Sequence, residues 1–520
     1  ARAGNGVIII TTKKGKYRQG QTIEMSATAI WQAKPDLFQR RDMAISDQID
    51  VEQFLFNQGY FDGTTGIPYL PISPAVDVFL RTKNGELSPA DSAVQINTLK
   101  NTDARQAYTN LYYQHALTQQ YAVNLRGGSD RMNWLIGGAY DRSVEALAAV
   151  NQKLNLRMQN TYKLSARLSG DLSVYYTYTT GTTGKPDYTT LTTVGGRYVP
   201  SLSLTDPIGE PYNRRYTDTA GGGKLLDWNY YPQNDWKHAY ATTRTDELIG
   251  NLSLHYQLLS SLTVSVFYQY QQQRSEVSRM ADQESFFTRN MINLFTQIDP
   301  VTGLVSYIVP KGDILTLDHS RTRSQNARAQ VQFNKIFGNH AVRALAGTEI
   351  RELETSGDNS PFYGYIPDPT TVALVDFVNA YPTFITGQPQ TIPGGYIASR
   401  ITNRFLSFYG NAYYEYLNKY SISVSGRKDG SNVFGVSTND KWKPLWSAGL
   451  IIPPLSFGLS TIPDSAGSSP ANGISAWNLI FLRADYPDRW ITTSKKDLTS
   501  MVLLLLITPT LDNSIQLSKT

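Results

Sequence analysis

From Gln119 to about Leu450 the chain alternates apolar and polar residues over long stretches. Tyr121, Val123 and Leu125 alternate with Ala122, Asn124 and Arg126. Leu154, Leu156, Met158, Tyr162 and Leu164 oppose Lys153, Asn155, Arg157, Gln159 and Lys163. Leu172, Val174, Tyr176 and Tyr178 follow, then Leu248, Leu252, Leu254 and Tyr256, then Leu262, Val264, Val266, Tyr268 and Tyr270. Val342, Ala344, Ala346 and Ile350 make another face, as do Leu406, Phe408, Ala412, Tyr414 and Tyr416 ahead of Tyr420, Ile422 and Val424. A period of two is that of a strand with one apolar and one polar side. The stretches come in pairs. Within a pair the link is short: Gly127-Gly128-Ser129-Asp130, Ser169-Gly170, Ser260-Ser261, Gly338-Asn339, Asn418-Lys419. Between most pairs it is long: 181–246, 274–323, 353–401.

Tight turns at one end of a sheet and large loops at the other are how a transmembrane β-barrel of the outer-membrane type is built. The strands run to roughly 10 residues or more, against about 5–6 in soluble sheets. The fold expected is therefore all-β: a partial outer-membrane β-barrel of antiparallel strands, about twelve up to Leu450, with long extracellular loops. Leu172, Val174, Tyr176, Leu252, Leu254, Val264 and Val266 are expected to face lipid. A soluble sandwich gives the same alternation, so a secreted β-sandwich adhesin or glycan-binding protein is the alternative.

Outside the regular part, Val7 to Thr12 reads as a short strand buried on both faces, and Gln21 to Trp31 as a second strand. Residues 32–118 are polar and partly helical, with a helix expected over Ser46 to Gly59, capped by its serine. The alternation stops near Leu450. Pro453-Pro454, Pro463, Pro470 and the Met501–Ile507 run follow. Residues 451–520 read either as a loop-rich region or as sequence foreign to the fold, of the kind a reading-frame shift produces.

Composition narrows the class. Across 520 residues, 41% are hydrophobic and mean hydropathy is −0.33. No run approaches the roughly 18 apolar residues of a spanning helix. Tyrosine is abundant (33 residues), as at a membrane interface. There is no cysteine, which argues against a disulfide-stapled fold and thiolate metal sites. The net charge of +5 is dispersed and makes no nucleic-acid stripe. The chain opens on Ala1 with neither an initiator Met nor a signal peptide, and reads as a fragment.

Nothing reads as catalytic, and no cofactor or metal is expected. The histidines at 115, 238, 255, 319 and 340 have no ligand spacing. Gly221-Gly222-Gly223-Lys224 lacks the spacing of a phosphate loop, and Asp358, Asp368 and Asp376 lack that of a Ca²⁺ loop. The candidates for substrate or partner contact are aromatic: Trp228, Tyr230, Tyr231 and Trp236 in one loop, and Phe362, Tyr363 and Tyr365 in another. Aromatic faces stack on sugar rings and apolar side chains. The other reading is that they pack the loops together.

Arg2-Ala3-Gly4-Asn5-Gly6-Val7-Ile8-Ile9-Ile10-Thr11-Thr12-Lys13-Lys14-Gly15 resembles the end of the plug domain in SusC-like TonB-dependent receptors. Trp134-Leu135-Ile136-Gly137-Gly138-Ala139-Tyr140, Arg427-Lys428-Asp429-Gly430-Ser431-Asn432-Val433-Phe434-Gly435 and Lys443-Pro444-Leu445-Trp446-Ser447-Ala448-Gly449-Leu450 resemble parts of the same family's barrel more weakly. The resemblance covers about 1–450. It implies a parent barrel of 22 strands closed by a plug, and divides the chain into the plug end (1–16), the first part of the barrel (17–450) and the tail (451–520). It further implies import of a nutrient such as an oligosaccharide or peptide across the cell outer membrane, driven by the TonB complex, with a SusD-like surface lipoprotein as lid. Outer-membrane lipid is a partner and nucleic acid is not. A passive porin, which has no plug, is a third reading.

Overall fold

The computed structural model describes residues 15–39, 41–433, 442–452, 478–484 and 491–492. One antiparallel sheet runs through it in chain order: β1 Thr22–Gln32, β2 Ala116–Gly128, β3 Met132–Val144, β4 Val150–Lys163, β5 Leu168–Thr182, β6 Ala239–Leu259, β7 Leu262–Ala281, β8 Asp313–Phe337, β9 His340–Pro367, β10 Ile397–Tyr416, β11 Tyr420–Ser431 and β12 Trp442–Ile452. Asn478–Ala484 and Ile491–Thr492 extend the β12 edge as β13 and β14. They fall within the segment expected to leave the barrel, most of which lies outside the described residues. So do residues 2–14 of the plug-like motif, and Phe434 and Gly435 of the loop motif. The sheet is open, with β1 and β14 at its edges.

Each strand pairs with the next, and the register carries the alternation across the sheet, with shifts near strand ends at Gln257/Leu259 and Asp313/Leu315. One row reads Leu172, Leu252, Tyr268, Ala327, Ile350, Leu406. All seven residues expected to face lipid lie on this apolar side and none is buried; Leu252 and Val266 are 43% and 47% exposed. A sandwich would cover this face with a second sheet, and among the described residues none does. The opposite face is a polar ladder. Arg157 Nη2 donates to Asn124 Oδ1 at 2.8 Å, Gln271 Nε2 to Glu247 Oε1 at 2.6 Å, and Gln269 Nε2 to Asn251 Oδ1 at 2.8 Å. Thr161 Oγ1 donates to Asp171 Oδ1 at 2.6 Å. Strand residues that are buried, such as Ser265, Ser324 and Ser407, belong to this side. One face is therefore made for lipid and the other for a polar lumen.

The apolar face has a defined height. On β8 it begins at Phe337 and ends at Ala327, beyond which outward positions are Gln325, Arg323 and Arg321. Ten residues at roughly 3.3 Å each, tilted about 45°, rise about 23 Å, close to the roughly 25 Å apolar band of an outer-membrane barrel. Rings mark its rims. His340 packs on Tyr414 and Tyr416 at 5.9 and 4.8 Å at the tight-turn end, and outward Tyr121, Tyr140, Tyr268 and Tyr270 stand toward the other.

Several boundaries differ from the sequence expectation. Ser169 and Gly170 lie inside β5; the turn is Leu164–Arg167, closed by Leu164 and Ser165 N–H donating to Leu168 O. The strands run past the membrane, so the long connections shorten to 183–238, 282–312 and 368–396. Ser46 is no cap: the helix starts at Ile45 behind Ala44, with no side-chain cap bond. Gly15 and Gly128 let the segment before β1 press on the β2–β3 hairpin. A Cβ on Gly15 would stand 2.6 Å from Trp134 O, and one on Gly128 would strike Lys16 O.

The two faces predict opposite responses to charge. In the membrane-inserted full-length parent, Val331→Arg or Leu254→Arg should cost about 2–4 kcal/mol, read by urea unfolding in lipid vesicles. Gln330→Arg, one residue from Val331 on the lumen side, should cost far less. Equal losses would refute the assignment of faces.

Candidate ligand-facing cap

Among the described residues the sheet has no hydrophobic core of its own. The cores lie in the long connections and the strand ends they leave from, all at the end opposite the tight turns. Segment 33–115 belongs to that end because Gln32 pairs with Ala116. It holds four helices of eight residues or more: α1 Ile45–Asn57, α2 Pro74–Lys83, α3 Pro89–Lys100 and α4 Ala104–Leu111. Ser73 and Ser88 cap α2 and α3 by accepting from Val76 N (3.2 Å) and Asp91 N (3.1 Å), each followed by a proline at the first helical position. Ile45, Ile49, Ala75 and Phe79 form one core. Tyr108 of α4 and Tyr112 just after it join Leu191, Val199 and Leu204 of segment 183–238 in a second, with the two rings stacked at 4.7 Å. Ile292, Phe295, Val309, Ile314, Tyr363 and Ile392 make a third.

Helix α5, Phe286–Leu294, clamps the neighbouring segment. Arg289 is buried; its Nη1 donates to Asp227 O at 2.6 Å and its Nη2 to Asn229 O at 3.0 Å, with the Asp227 carboxylate at 3.3 Å. Asn293 pairs in both directions with the Leu226 backbone at 2.9 Å. Asp235 accepts from Phe286 N at the start of α5, and burial pushes this carboxyl up. Segment 368–396 joins through Gln297 Nε2 to Pro382 O at 2.7 Å, and segment 33–115 through Gln48 Nε2 to Tyr198 O at 2.8 Å. The long connections thus form one packed cap.

The candidate aromatics sit within it. Trp228 is buried, donates through Nε1 to Asn290 Oδ1 at 2.8 Å and meets Tyr212 and Phe384 edge-on. Tyr363 is buried and donates to Pro393 O at 2.7 Å; burial pushes its phenol up to about 12. Tyr230 is half-buried against Phe286. Tyr231 carries the Arg289 guanidinium 5.7 Å from its ring centre. Trp236 lies between the ammonium groups of Lys185 and Lys237, at 5.5 and 5.8 Å. Phe362, Tyr363 and Tyr365 are not on a loop but on the extension of β9 beyond the membrane. Asn290 and Phe384, against Trp228, and Pro393, bonded to Tyr363, lie 30 or more residues away along the chain, a distance no local pattern spans.

A cavity of about 200 Å³ opens between α1 and segment 183–238, lined by Glu52, Ser73, Gly195 and Arg197 among others. Glu52 accepts from Ser73 Oγ at 2.7 Å; burial raises its pKa, with the Ser73 bond and the Arg197 charge acting against the shift. Elsewhere the chemistry is structural. Gly221, Gly222 and Gly223 all have positive φ, and Lys224 reaches Gly303 O at 3.0 Å, so the turn is stitched to a neighbouring loop. Asp376 accepts from Asn379, Val378 and Tyr381, which hold its carboxyl far below the usual range. His319 pairs with Asp358 at 3.1 Å and His238 with Asp282 at 2.8 Å. His255 lies between Ser265 on Nδ1 and Asp171 on Nε2, the reverse of a nucleophilic triad, within the lumen ladder. Among the described residues no group of three or more His, Cys, Asp or Glu is placed to hold a metal.

No protein-family model matches the chain. It is 19% identical over 459 residues to TonB-dependent receptor P3 of Formosa agariphila, covering 85% of this chain and 36% of that relative. It is 27% identical over 128 residues to TonB-dependent receptor P26 of the same organism, covering 24% of this chain and 12% of that one. Among solved structures, the RagAB peptide transporter superposes with a TM-score of 0.57 at 14% identity, over 87% of this chain and 46% of that one. The RagAB peptide importer in its closed-closed state gives 0.56 at 15% identity, over 95% and 52%. The chain is a homologue of TonB-dependent receptors. Like them it is an outer-membrane β-barrel protein, and it spans about a third of the length of the first relative and half that of the solved structures.

Two outcomes follow from the cap. Arg289→Ala removes charge-assisted bonds worth about 1.5–3 kcal/mol each, so amide exchange over 226–230 should accelerate at least tenfold while the strands stay protected. Glu52 has a raised folded pKa, so its stabilising contribution is full below the unfolded value of 4.5 and is lost as pH rises through the folded value. Exchange in α1 and α2, corrected for intrinsic rates, should therefore quicken over that window, and Glu52→Gln should flatten the dependence.

Proposed function

We propose that the chain is part of an outer-membrane importer that takes up a nutrient through a TonB-driven cycle, with an oligosaccharide or peptide as cargo and a SusD-like lipoprotein over the cap. On this reading 1–16 is the end of the plug, 17–450 the first part of a 22-stranded barrel, and 451–520 a tail foreign to it. The observation that carries the reading is one sheet with a bare apolar face, a hydrogen-bonded polar face and a packed cap at the long-loop end. A porin needs no such cap. The RagAB neighbours, described as a peptide transporter and importer, favour peptide within the cargo class. Four of the seven aromatics serve in two ways. Trp228 and Tyr363 hold the cap in shape, while Tyr231 and Trp236, partly exposed beside cationic side chains, meet cargo or lid.

The test is uptake by the full-length parent, measured with labelled peptides and oligosaccharides in cells with and without functional TonB. Uptake should require TonB. Tyr231→Ala with Trp236→Ala should weaken uptake or lipoprotein capture by about fivefold per ring, since a ring contact is worth on the order of 1 kcal/mol, and should leave heat-modifiable migration unchanged. TonB-independent uptake would return the porin reading; unchanged uptake and capture would leave both rings to loop packing.

A further inference from the structure

Beyond the apolar band the strands keep the same alternation, so the next outward positions are fixed by register. One row reads Asp246, Arg274, Arg321, Ser356, Arg400 across β6 to β10. The row beneath it reads Gln272, Arg323, Glu354, Thr402, and the next Tyr270, Gln325, Glu352, Arg404. Arg274 and Arg321 are direct cross-strand partners on one face, and both are exposed. Like charges directly opposite destabilise a sheet. Asp246 stands opposite Arg274 in the same row without an ion pair to it, and the other nearby carboxylates have closer partners: Glu354 with Arg400 at 2.7 Å and Arg323 at 3.9 Å, although the Arg321 charge also acts on it, and Glu352 with Arg404 at 2.7 Å. Arg321 Nη2 reaches only the neutral Gln272 Oε1 at 3.2 Å. Among the described residues no carboxylate forms an ion pair with Arg274 or Arg321.

The place of this pair is as informative as its charge. It stands on the lipid-facing side at the long-loop end, two outward positions past Tyr270 and three past Ala327, where the apolar band has given way to polar positions. At roughly 3.3 Å per residue and a tilt of about 45°, that is about 9–14 Å beyond the apolar edge, outside the hydrocarbon on the outer-leaflet side. Two guanidinium forks side by side suit a phosphate, which each can grip with paired N–H bonds. The apolar face, which begins three rows below at Tyr268, Ala327 and Ile350, suits the acyl chains of the same molecule.

We propose that Arg274 and Arg321 form a binding site for a phosphorylated lipid of the outer leaflet, with the phosphate on the arginine pair and the acyl chains on the face around Tyr268, Tyr270 and Ala327. The proposal rests on the barrel reading but not on transport, and the two are measured separately.

The test uses the full-length receptor purified in detergent. Native mass spectrometry and thermal unfolding would be followed with a bisphosphorylated lipid A, the same lipid after phosphatase treatment, and inorganic phosphate. Wild type should retain the phosphorylated lipid and unfold at a higher temperature with it. The dephosphorylated lipid should bind at least tenfold more weakly, and inorganic phosphate alone should not raise the unfolding temperature. R274Q/R321Q should lose tenfold or more in lipid affinity while folding as well as wild type without lipid, because it removes the like-charge contact. R274K/R321K, which keeps charge without the fork, should fall between. Equal lipid binding by wild type and R274Q/R321Q would overturn the proposal, as would full stabilisation by inorganic phosphate. Absence of TonB-dependent uptake by the wild type with lipid binding intact would instead count against the transport reading.

Discussion

The constraint on which the rest depends is that a strand in lipid must satisfy its backbone within the sheet while one of its faces meets hydrocarbon. Ladder pairing from β1 to β12 meets the first demand, and the uninterrupted period of two meets the second. A sheet that gives one side to lipid and the other to a polar lumen has no interior. Its polar side must be satisfied residue by residue, as Asn124, Arg157, Glu247 and Gln271 are. Its apolar side needs no protein partner. The hydrophobic cores are therefore displaced into the connections, where water surrounds the chain and burial has its usual value.

That displacement explains how long connections hold a shape. Loops without a core order themselves only by packing on one another. Here the links are polar and specific: Arg289 and Asn293 hold the backbone of 226–229, and Gln48 and Gln297 reach carbonyls of other segments. Buried side chains of this kind fix a single arrangement, because each leaves an unmet donor if its loop moves. The cap can then be rigid while its own chain is irregular.

The existence of the strands, their faces and their number up to β12 were legible in the sequence, because alternation is a local property. Their ends were not. Alternation continues beyond the lipid with charged residues on the outward side, as at Arg321 and Glu354, so polarity alone marks the end of the membrane and not the end of the strand. Ser169 and Gly170 look like a turn yet sit in β5, since the tighter bend at Leu164–Arg167 carries no glycine. The aromatics show the same limit. Composition found them, but whether a ring faces cargo or a core depends on Asn290, Phe384 or Pro393, which only the folded cap brings near.

The strongest argument for the membrane comes from agreement between strands. Leu248 on β6, Tyr270 on β7, Ala327 on β8, Ile350 on β9 and Leu406 on β10 mark where the apolar outward face gives way to a run of polar outward positions. They are followed outward by Asp246, Gln272, Gln325, Glu352 and Arg404. Register places all of these within one or two rows of each other. A soluble sheet has no reason to change character at one level on five strands whose ends differ, because its exposed face meets the same water along its whole length. A planar boundary between hydrocarbon and water imposes such a level, and the strands that cross it continue in register on the far side as the stem of the cap.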